Sequence, residues 1–308
     1  MTGDRHDGTA TVHPEGAAGW VSRGFAWLAR RSPRARARLG RVLGRLAWLL
    51  VRRRRRVVMR NLELCFPALS EHERRALGRA HFMALAQSIV DRSVLWYGDA
   101  DAVRALVTLE GFDEHARPAL EKGPVILLAP HFVGLDAGAS RLSLESPAAS
   151  MYQVQSDPGF DALFRQGRSR FNEIHLISRR EGLRGLLRHL KSRLPVYYLP
   201  DMDFGERDSV FVPFFGVPTA SITAPAQIAR NWQAQVLPVL TYWNPDTGRY
   251  HTQVRPALAD FPGEHSLEAA TARLNREIES WIAASPSQYY WVHKRFKTRP
   301  PGEPSLYD

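Results

Sequence analysis

His131-Phe-Val-Gly-Leu-Asp136 sets a carboxylate five positions after a histidine. That pairing is the minimal apparatus of a general base: the imidazole takes a proton, and the carboxylate fixes its tautomer and favours the imidazolium. The spacing alone is not diagnostic. With 11 His and 31 acids in 308 residues, chance supplies about one such spacing, and this chain holds one. Its context is more informative. Pro124-Val-Ile-Leu-Leu-Ala-Pro130 reads as a buried strand that delivers His131 to a sheet edge, with a helix starting near Gly134 and Asp136 in its first turn. Unpaired N–H groups at that helix start could stabilise a developing oxyanion.

Three further stretches could carry chemistry. Pro195 to Leu199 reads as a strand ending in Pro200-Asp201-Met-Asp203-Phe-Gly205, with its acids on the edge where His131 emerges if the two strands are parallel. Acids in such a turn either cap it or bind a metal, although hard cations need more oxygen ligands. Ser209-Val-Phe211-Val-Pro-Phe214-Phe215-Gly216 reads as a loop too punctuated to be strand throughout. Its aromatics fit a lipid or partner surface and a core plug equally. Gly167-Arg168-Ser-Arg170-Phe171 and Trp291-Val-His-Lys-Arg295-Phe-Lys-Thr-Arg-Pro300 offer guanidiniums suited to phosphate, the second being equally a solvated tail.

Nothing competes as a nucleotide or nucleophile-elbow signature, and no Cys/His spacing suits zinc. One base, no cofactor and an apolar surface point to acyl transfer onto a lipid-borne hydroxyl.

The elements that position these residues follow from periodicity. Ser70-Glu-His-Glu73 is a capping box opening a long helix toward Trp96, with a core stripe of Leu77, Ala80, Met83, Ala84, Ile89, Val90 and Val94; His81 on it is structural. Strands are expected at 105–109, 124–130, 149–154, 173–178, 195–200, 236–243 and 250–257. Helices are expected at 113–121, 134–144, 159–171, 180–192 and 222–233, and from Ser266 to about Ala284. This alternation predicts an α/β fold, a mixed, largely parallel sheet flanked by helices.

The charge is placed unevenly. Fourteen arginines and no acid lie between Gly16 and Leu62, against a net +11 for the whole chain, so the remainder is slightly acidic. Residues 39–51 carry Leu39, Val42, Leu43, Leu46, Leu49 and Leu50, with Trp48 beside them and Arg38, Arg41, Arg45 and Arg52 opposite. This is an interfacial amphipathic helix with a basic face, suited to anionic headgroups rather than nucleic acid. It falls short of the roughly 20 apolar residues that span a bilayer. The expected organisation is a disordered lead (1–19), basic membrane-docking helices (20–62) and a catalytic domain (63–308). The single cysteine, Cys65, excludes a disulfide scaffold.

Taken together, the motifs resemble the bacterial late acyltransferases of lipid A biosynthesis, the lauroyl/myristoyl group that shares a His-x4-Asp/Glu motif with glycerolipid acyltransferases. The resemblance runs from about residue 40 to 308. It rests on Arg60-Asn-Leu-Glu-Leu-Cys-Phe-Pro67, His131…Asp136, Met151-Tyr152, Asp157-Pro158, Gly167-Arg-Ser-Arg170, Pro200-Asp-Met-Asp-Phe-Gly205, Phe211-Val-Pro-Phe-Phe-Gly216 and Gln288-Tyr-Tyr-Trp-Val-His-Lys-Arg-Phe-Lys-Thr-Arg-Pro300. Gln153 stands where many relatives carry arginine. The resemblance implies transfer of a fatty acyl chain from acyl carrier protein to a 3-hydroxyacyl group of a lipid A precursor, at the cytoplasmic face of the inner membrane, without cofactor or metal. It implies His131 as base and Asp136 as its partner. It also implies substrate contacts from Tyr152, Arg168, Arg170, Asp201, Asp203, Phe211, Phe214 and Phe215, and more weakly sugar-phosphate or carrier contacts from Arg60 and Arg295.

Overall fold

The computed structural model describes residues 16–178 and 181–307. Of the expected disordered lead, residues 1–15 lie outside that range, while Gly16 to Gly19 already belong to helix α1 (Gly16–Ala29). Next come α2 (Pro33–Leu50) and α3 (Arg52–Cys65). Ser32 caps α2, its side chain accepting the Ala35 N–H with Pro33 at the first helical position. Helix α4 (Glu71–Tyr97) opens on the expected capping box, with both reciprocal Ser70–Glu73 bonds formed.

Helix α2 meets α4 through its smallest residues. A Cβ on Gly40 would fall 2.0 Å from the Gln87 side chain, and one on Gly44 would fall 2.6 Å from Met83 Cα. Two glycines one turn apart therefore let the backbones approach, and the leucine stripe turns outward. Val42, Leu43, Leu46, Leu49 and Leu50 are all exposed, up to 73% at Leu50. Trp48 departs from the expected surface position, packing edge-on against Phe82 at 5.4 Å. Ile89, expected in the α4 core stripe, is also exposed. No helix among the described residues is long and apolar enough to cross a membrane.

The sheet follows. Helix α5 (Ala100–Leu106) leads into β1 (Val107–Glu110); a π-helical turn (Phe112–Ala116) and α6 (Arg117–Lys122) precede β2 (Val125–Leu128). Then come α7 (Leu135–Leu142), β3 (Ala148–Tyr152), α8 (Pro158–Arg168), β4 (Ile174–Ser178), α9 (Gly182–Lys191) and β5 (Val196–Tyr198). The strands β6 (Ser209–Phe214) and β7 (Val217–Ile222) form a separate antiparallel hairpin. Last are α10 (Ala224–Trp232), β8 (Gln235–Asn244), β9 (Arg249–Val254) and α11 (Leu267–Ala284). The seven-stranded sheet runs β1-β9-β8-β2-β5-β3-β4. Its ladders are parallel except β8–β9, so β9 and β1 run against the other strands. This is the expected α/β class, with every residue of β2 buried, as a central strand covered on both faces requires.

The hairpin corrects the loop expected at Ser209–Gly216. Phe215 and Gly216 both take positive φ, 50° and 78°, the two-residue turn that suits a right-twisted hairpin. Proline is tolerated because β6 and β7 form a two-stranded ladder with free outer edges. The domain boundary expected at residue 62 falls inside α3, whose Val58 and Leu62 are fully buried in the main core beside Ile126, Phe296 and Trp291.

Candidate active site

Strands β2 and β5 lie side by side with Leu128 paired to Tyr198. Each then runs through a residue and a proline, Ala129-Pro130 and Leu199-Pro200, before reaching His131 and Asp201. Proline has no N–H for the ladder and stops both strands at the same level. The register thus continues past the strand ends and sets His131 opposite Asp201. The carboxylate grips the histidine twice: Asp201 Oδ2 accepts the His131 backbone N–H and Oδ1 accepts Nδ1–H, both at 2.8 Å.

Asp201 is only 1% exposed. Burial pushes its carboxyl up, but attraction to the His131 ring when that is protonated, together with both hydrogen bonds from His131, outweighs burial and holds it below the usual carboxylate range. An ionised Asp201 fixes the proton on Nδ1 and leaves Nε2 bare. Tyr289 OH donates to the Asp201 carbonyl at 3.2 Å, and the Tyr290 N–H donates to the His131 carbonyl at 2.8 Å.

Asp136 is elsewhere, which corrects the pairing expected from spacing. The chain turns at Phe132–Gly134, where Phe132 bridges to Tyr289, and Asp136 in the first turn of α7 bonds to partners other than the imidazole. There it meets two guanidiniums. Arg92 of α4 donates to Oδ2 at 2.8 and 2.7 Å, and Arg168 at the end of α8 donates to Oδ1 at 3.1 and 2.8 Å. Burial alone would raise the Asp136 pKa; the two arginines reverse this and hold it far below the usual range. Two cations on one anion leave this wall of the site with a net positive charge.

His131, Asp136, Arg92, Arg168, Tyr152, Asp203 and His293 all line one open groove of about 990 Å³. A second, narrow cavity of about 90 Å³ shares Leu135, Asp136, Met151, Arg168 and Leu199 with it. Those five residues form a neck between the two. Beyond the neck the wall is small or apolar, including Ala139, Ser140, Ser143, Ala148, Leu176 and Tyr197. Asp136, Ala139, Ser140 and Ser143 follow a helical i, i+3, i+4, i+7 stripe, so Ser143 lies about 10 Å past the neck at 1.5 Å per residue.

Other expected contacts are distributed differently. Tyr152 is buried, its hydroxyl donating to Asp161 at 2.8 Å, with Arg168 stacked 5.8 Å over its ring. Asp203 faces the groove but spends its carboxylate on Thr298 N–H and Oγ, 2.7 and 2.8 Å away, and on Gly205 N–H at 3.0 Å. Among the described residues no group of three or more metal-capable side chains converges.

Arg170, Arg295, Arg60 and the three phenylalanines are absent from the groove wall. Arg170 donates to the Leu95 carbonyl and stacks on Phe171. Arg295, 2% exposed, donates to Ala220 O and Ser221 Oγ and covers Phe214 at 5.1 Å. The run 291–300 is therefore a buried strap rather than a solvated tail. Arg60 holds the Leu306 carbonyl at 2.9 Å. Alternation along β6 buries Val212 and Phe214, and Phe215 packs on Phe66 at 5.2 Å, so Phe214 plugs the core.

His81 has the structural role expected of it, with Nδ1 on the Ser287 carbonyl at 3.1 Å and burial lowering its pKa to about 4. Arg92 belongs to no motif in the sequence. Its local signal is the polar set Gln87, Asp91 and Arg92 in a stretch of α4 whose Ala84, Ala86, Val90 and Val94 are buried.

The family model for bacterial lipid A biosynthesis acyltransferases matches residues 6–298. The chain is 34% identical to the lipid A biosynthesis lauroyltransferase of Escherichia coli, covering 97% of both chains. It is 31% identical to the palmitoleoyltransferase of the same organism, over 96% of both. Against the E. coli myristoyltransferase it is 32% identical, over 94% of this chain and 90% of that one. A match of this extent, over a chain whose sheet edge carries a histidine–carboxylate pair beside a groove and an apolar cavity, means that this protein belongs to the bacterial lipid A biosynthesis acyltransferase family.

Proposed function

We propose that this acyltransferase moves a fatty acyl chain from the thioester of acyl carrier protein to a 3-hydroxyacyl hydroxyl of a lipid A precursor, with His131 as general base. The observation that carries the reading is the 2.8 Å contact between His131 Nδ1 and buried Asp201: an ionised carboxylate can only accept there, so the ring proton stays on Nδ1 and Nε2 is bare in the groove. Nε2 takes the hydroxyl proton as the oxygen attacks the thioester carbonyl. The tetrahedral intermediate collapses by breaking the C–S bond, and the imidazolium returns its proton to the departing thiolate. Asp201 stabilises the transient imidazolium, the role the sequence had suggested for Asp136.

Asp136 instead aligns Arg92 and Arg168 at the neck. The apolar cavity beyond suits the hydrocarbon chain of the donor, and the wide polar groove suits a glycolipid acceptor. The relatives' names differ in the acyl chain moved, lauroyl, palmitoleoyl or myristoyl, which fits a common site with a cavity of adjustable depth.

The exposed leucine stripe of α2, flanked by exposed Arg38, Arg41, Arg45, Arg52 and Arg53, suits an anionic membrane surface. That fits docking at the cytoplasmic face of the inner membrane by the helices of residues 20–62. The decisive experiment measures acyl transfer from labelled acyl carrier protein to a lipid A precursor by wild type and His131→Ala. The variant should fold, bind vesicles and fail to transfer; full activity in it overturns the reading.

A further inference from the structure

His293 is a second histidine in the groove, and its surroundings are built more rigidly than a strap residue needs. Asn61, fully buried on α3, donates from Nδ2 to the Trp291 and His293 carbonyls, 2.7 Å each. Arg54 holds the Val292 carbonyl at 3.2 Å. The imidazole is fixed from the other side, with Nε2 accepting the Asp203 backbone N–H at 3.0 Å. Asp203 is itself pinned to Thr298 and Gly205. A backbone N–H can only donate, so Nε2 carries no proton and the proton of the neutral ring sits on Nδ1. Among the described residues no acceptor meets Nδ1, and the ring lines the groove together with His131.

The neighbours also keep this ring neutral. Burial first, then repulsion from His131 once it is protonated and from Arg295, lowers the His293 pKa to about 4. A neutral imidazole N–H donates a hydrogen bond without giving up its proton, as an oxyanion stabiliser must. The guanidiniums that face the groove wall from α4 and α8, Arg92 and Arg168, direct N–H groups at Asp136.

We propose that His293 donates its Nδ1–H to the thioester carbonyl oxygen and stabilises the oxyanion formed when the hydroxyl activated by His131 attacks. The inference rests on His131 being the base. In the step, the acceptor oxygen bonds to the carbonyl carbon, its proton passes to His131 Nε2, and the carbonyl electron pair moves to the oxygen facing His293. Collapse restores the carbonyl as the C–S bond breaks and the thiolate takes the proton from His131.

Two amide substitutions separate this role from scaffolding. The amide of asparagine comes nearest to imidazole Nδ1 and offers a donor there. The amide of glutamine comes nearest to Nε2 and still accepts the Asp203 N–H while removing the Nδ1 donor. Steady-state kinetics are measured with a labelled fatty acyl thioester of acyl carrier protein and a lipid A precursor for His293→Asn, His293→Gln, His293→Ala and His131→Ala, each first checked for native melting.

Removing one oxyanion donor costs about 10²–10³ in kcat. His293→Gln and His293→Ala should therefore lose about that much with KM nearly unchanged, and His293→Asn should stay within about tenfold of wild type. If Gln keeps full kcat while Asn loses it, His293 only anchors the Asp203 turn and the proposal fails. If His293→Asn does not fold, full kcat in His293→Gln still overturns it. An inactive His131→Ala beside a fully active His293→Gln refutes His293 alone, whereas an active His131→Ala refutes the underlying base assignment.

Discussion

Replacing Asp201 with asparagine should disable this enzyme through a single proton. Asp201 accepts two hydrogen bonds from His131, one from the backbone N–H and one from Nδ1, each 2.8 Å long. The asparagine amide has one oxygen and one NH2 to place against these two donors. The backbone N–H cannot change its proton, so it takes the amide oxygen, and the NH2 is left facing Nδ1. Nδ1 must then accept, which moves the ring proton to Nε2 and removes the base from the groove.

A wrong tautomer in a histidine–carboxylate pair costs about 10⁴ in kcat, or about 5 kcal/mol at 1.36 kcal/mol per decade. KM for both substrates should stay near wild type, because substrate contacts are intact. The ring proton can be read directly by 15N NMR of His131, on Nδ1 in wild type and on Nε2 in the variant.

Asp136→Asn supplies the contrast. It strips the counter-charge from Arg92 and Arg168, whose side chains are 25% and 30% exposed. Solvent screening at that exposure reduces the cost of a broken buried pair to about 2 kcal/mol of stability. The loss should show as a lower melting temperature and a higher KM, with the His131 tautomer unchanged. A kcat for Asp201→Asn within tenfold of wild type would refute the assignment of Asp201 as partner of the base.

Three other outcomes are expected. His81 is buried and neutral with a pKa near 4 against about 6.5 in the unfolded chain. The unfolded state therefore binds more protons in that window, and the stability contribution, complete above pH 6.5, is lost as pH falls toward 4. Urea titrations should show a decline of about 1.4 kcal/mol per pH unit from this group, and a flatter profile in His81→Gln. Leu46→Ser with Leu50→Ser on the outward face of α2 should weaken binding to vesicles at least tenfold while leaving the melting temperature within about 2 °C, since both side chains are exposed. Binding should be tighter to anionic than to neutral lipid, and equal binding would refute the electrostatic part of the docking account. In the cavity, Ala139→Leu and Ser143→Leu should shorten the acyl chain transferred, more so at Ala139 because it lies nearer the neck; mass spectrometry of the product reads the length.

Much of this protein is local and was therefore readable from its sequence. The hydrophobic run before His131, the capping box at Ser70 and, apart from the hairpin at 209–222, the alternation after Gly111 each depend on neighbours within a few residues, and each became the expected element. The two short strands ending in Ala-Pro-His131 and Leu-Pro-Asp201 also placed both residues on one edge. The arginine-rich stretch from Gly16 to Leu62, which holds no acid, needed only composition and a 3.6-residue period.

Pairing was not local. Whether His131 met Asp136 or Asp201 depended on the β2–β5 register, 70 residues apart in the chain. The same long-range packing brought Arg92 from α4 and Arg168 from α8 to one carboxylate. It also turned the strap 291–300 inward, burying Arg295 and presenting His293. A spacing of five residues bounds how far apart two side chains can be. Only the folded sheet decides which way they point, because backbone direction at a strand end is set by the neighbouring strand and not by the residues that follow.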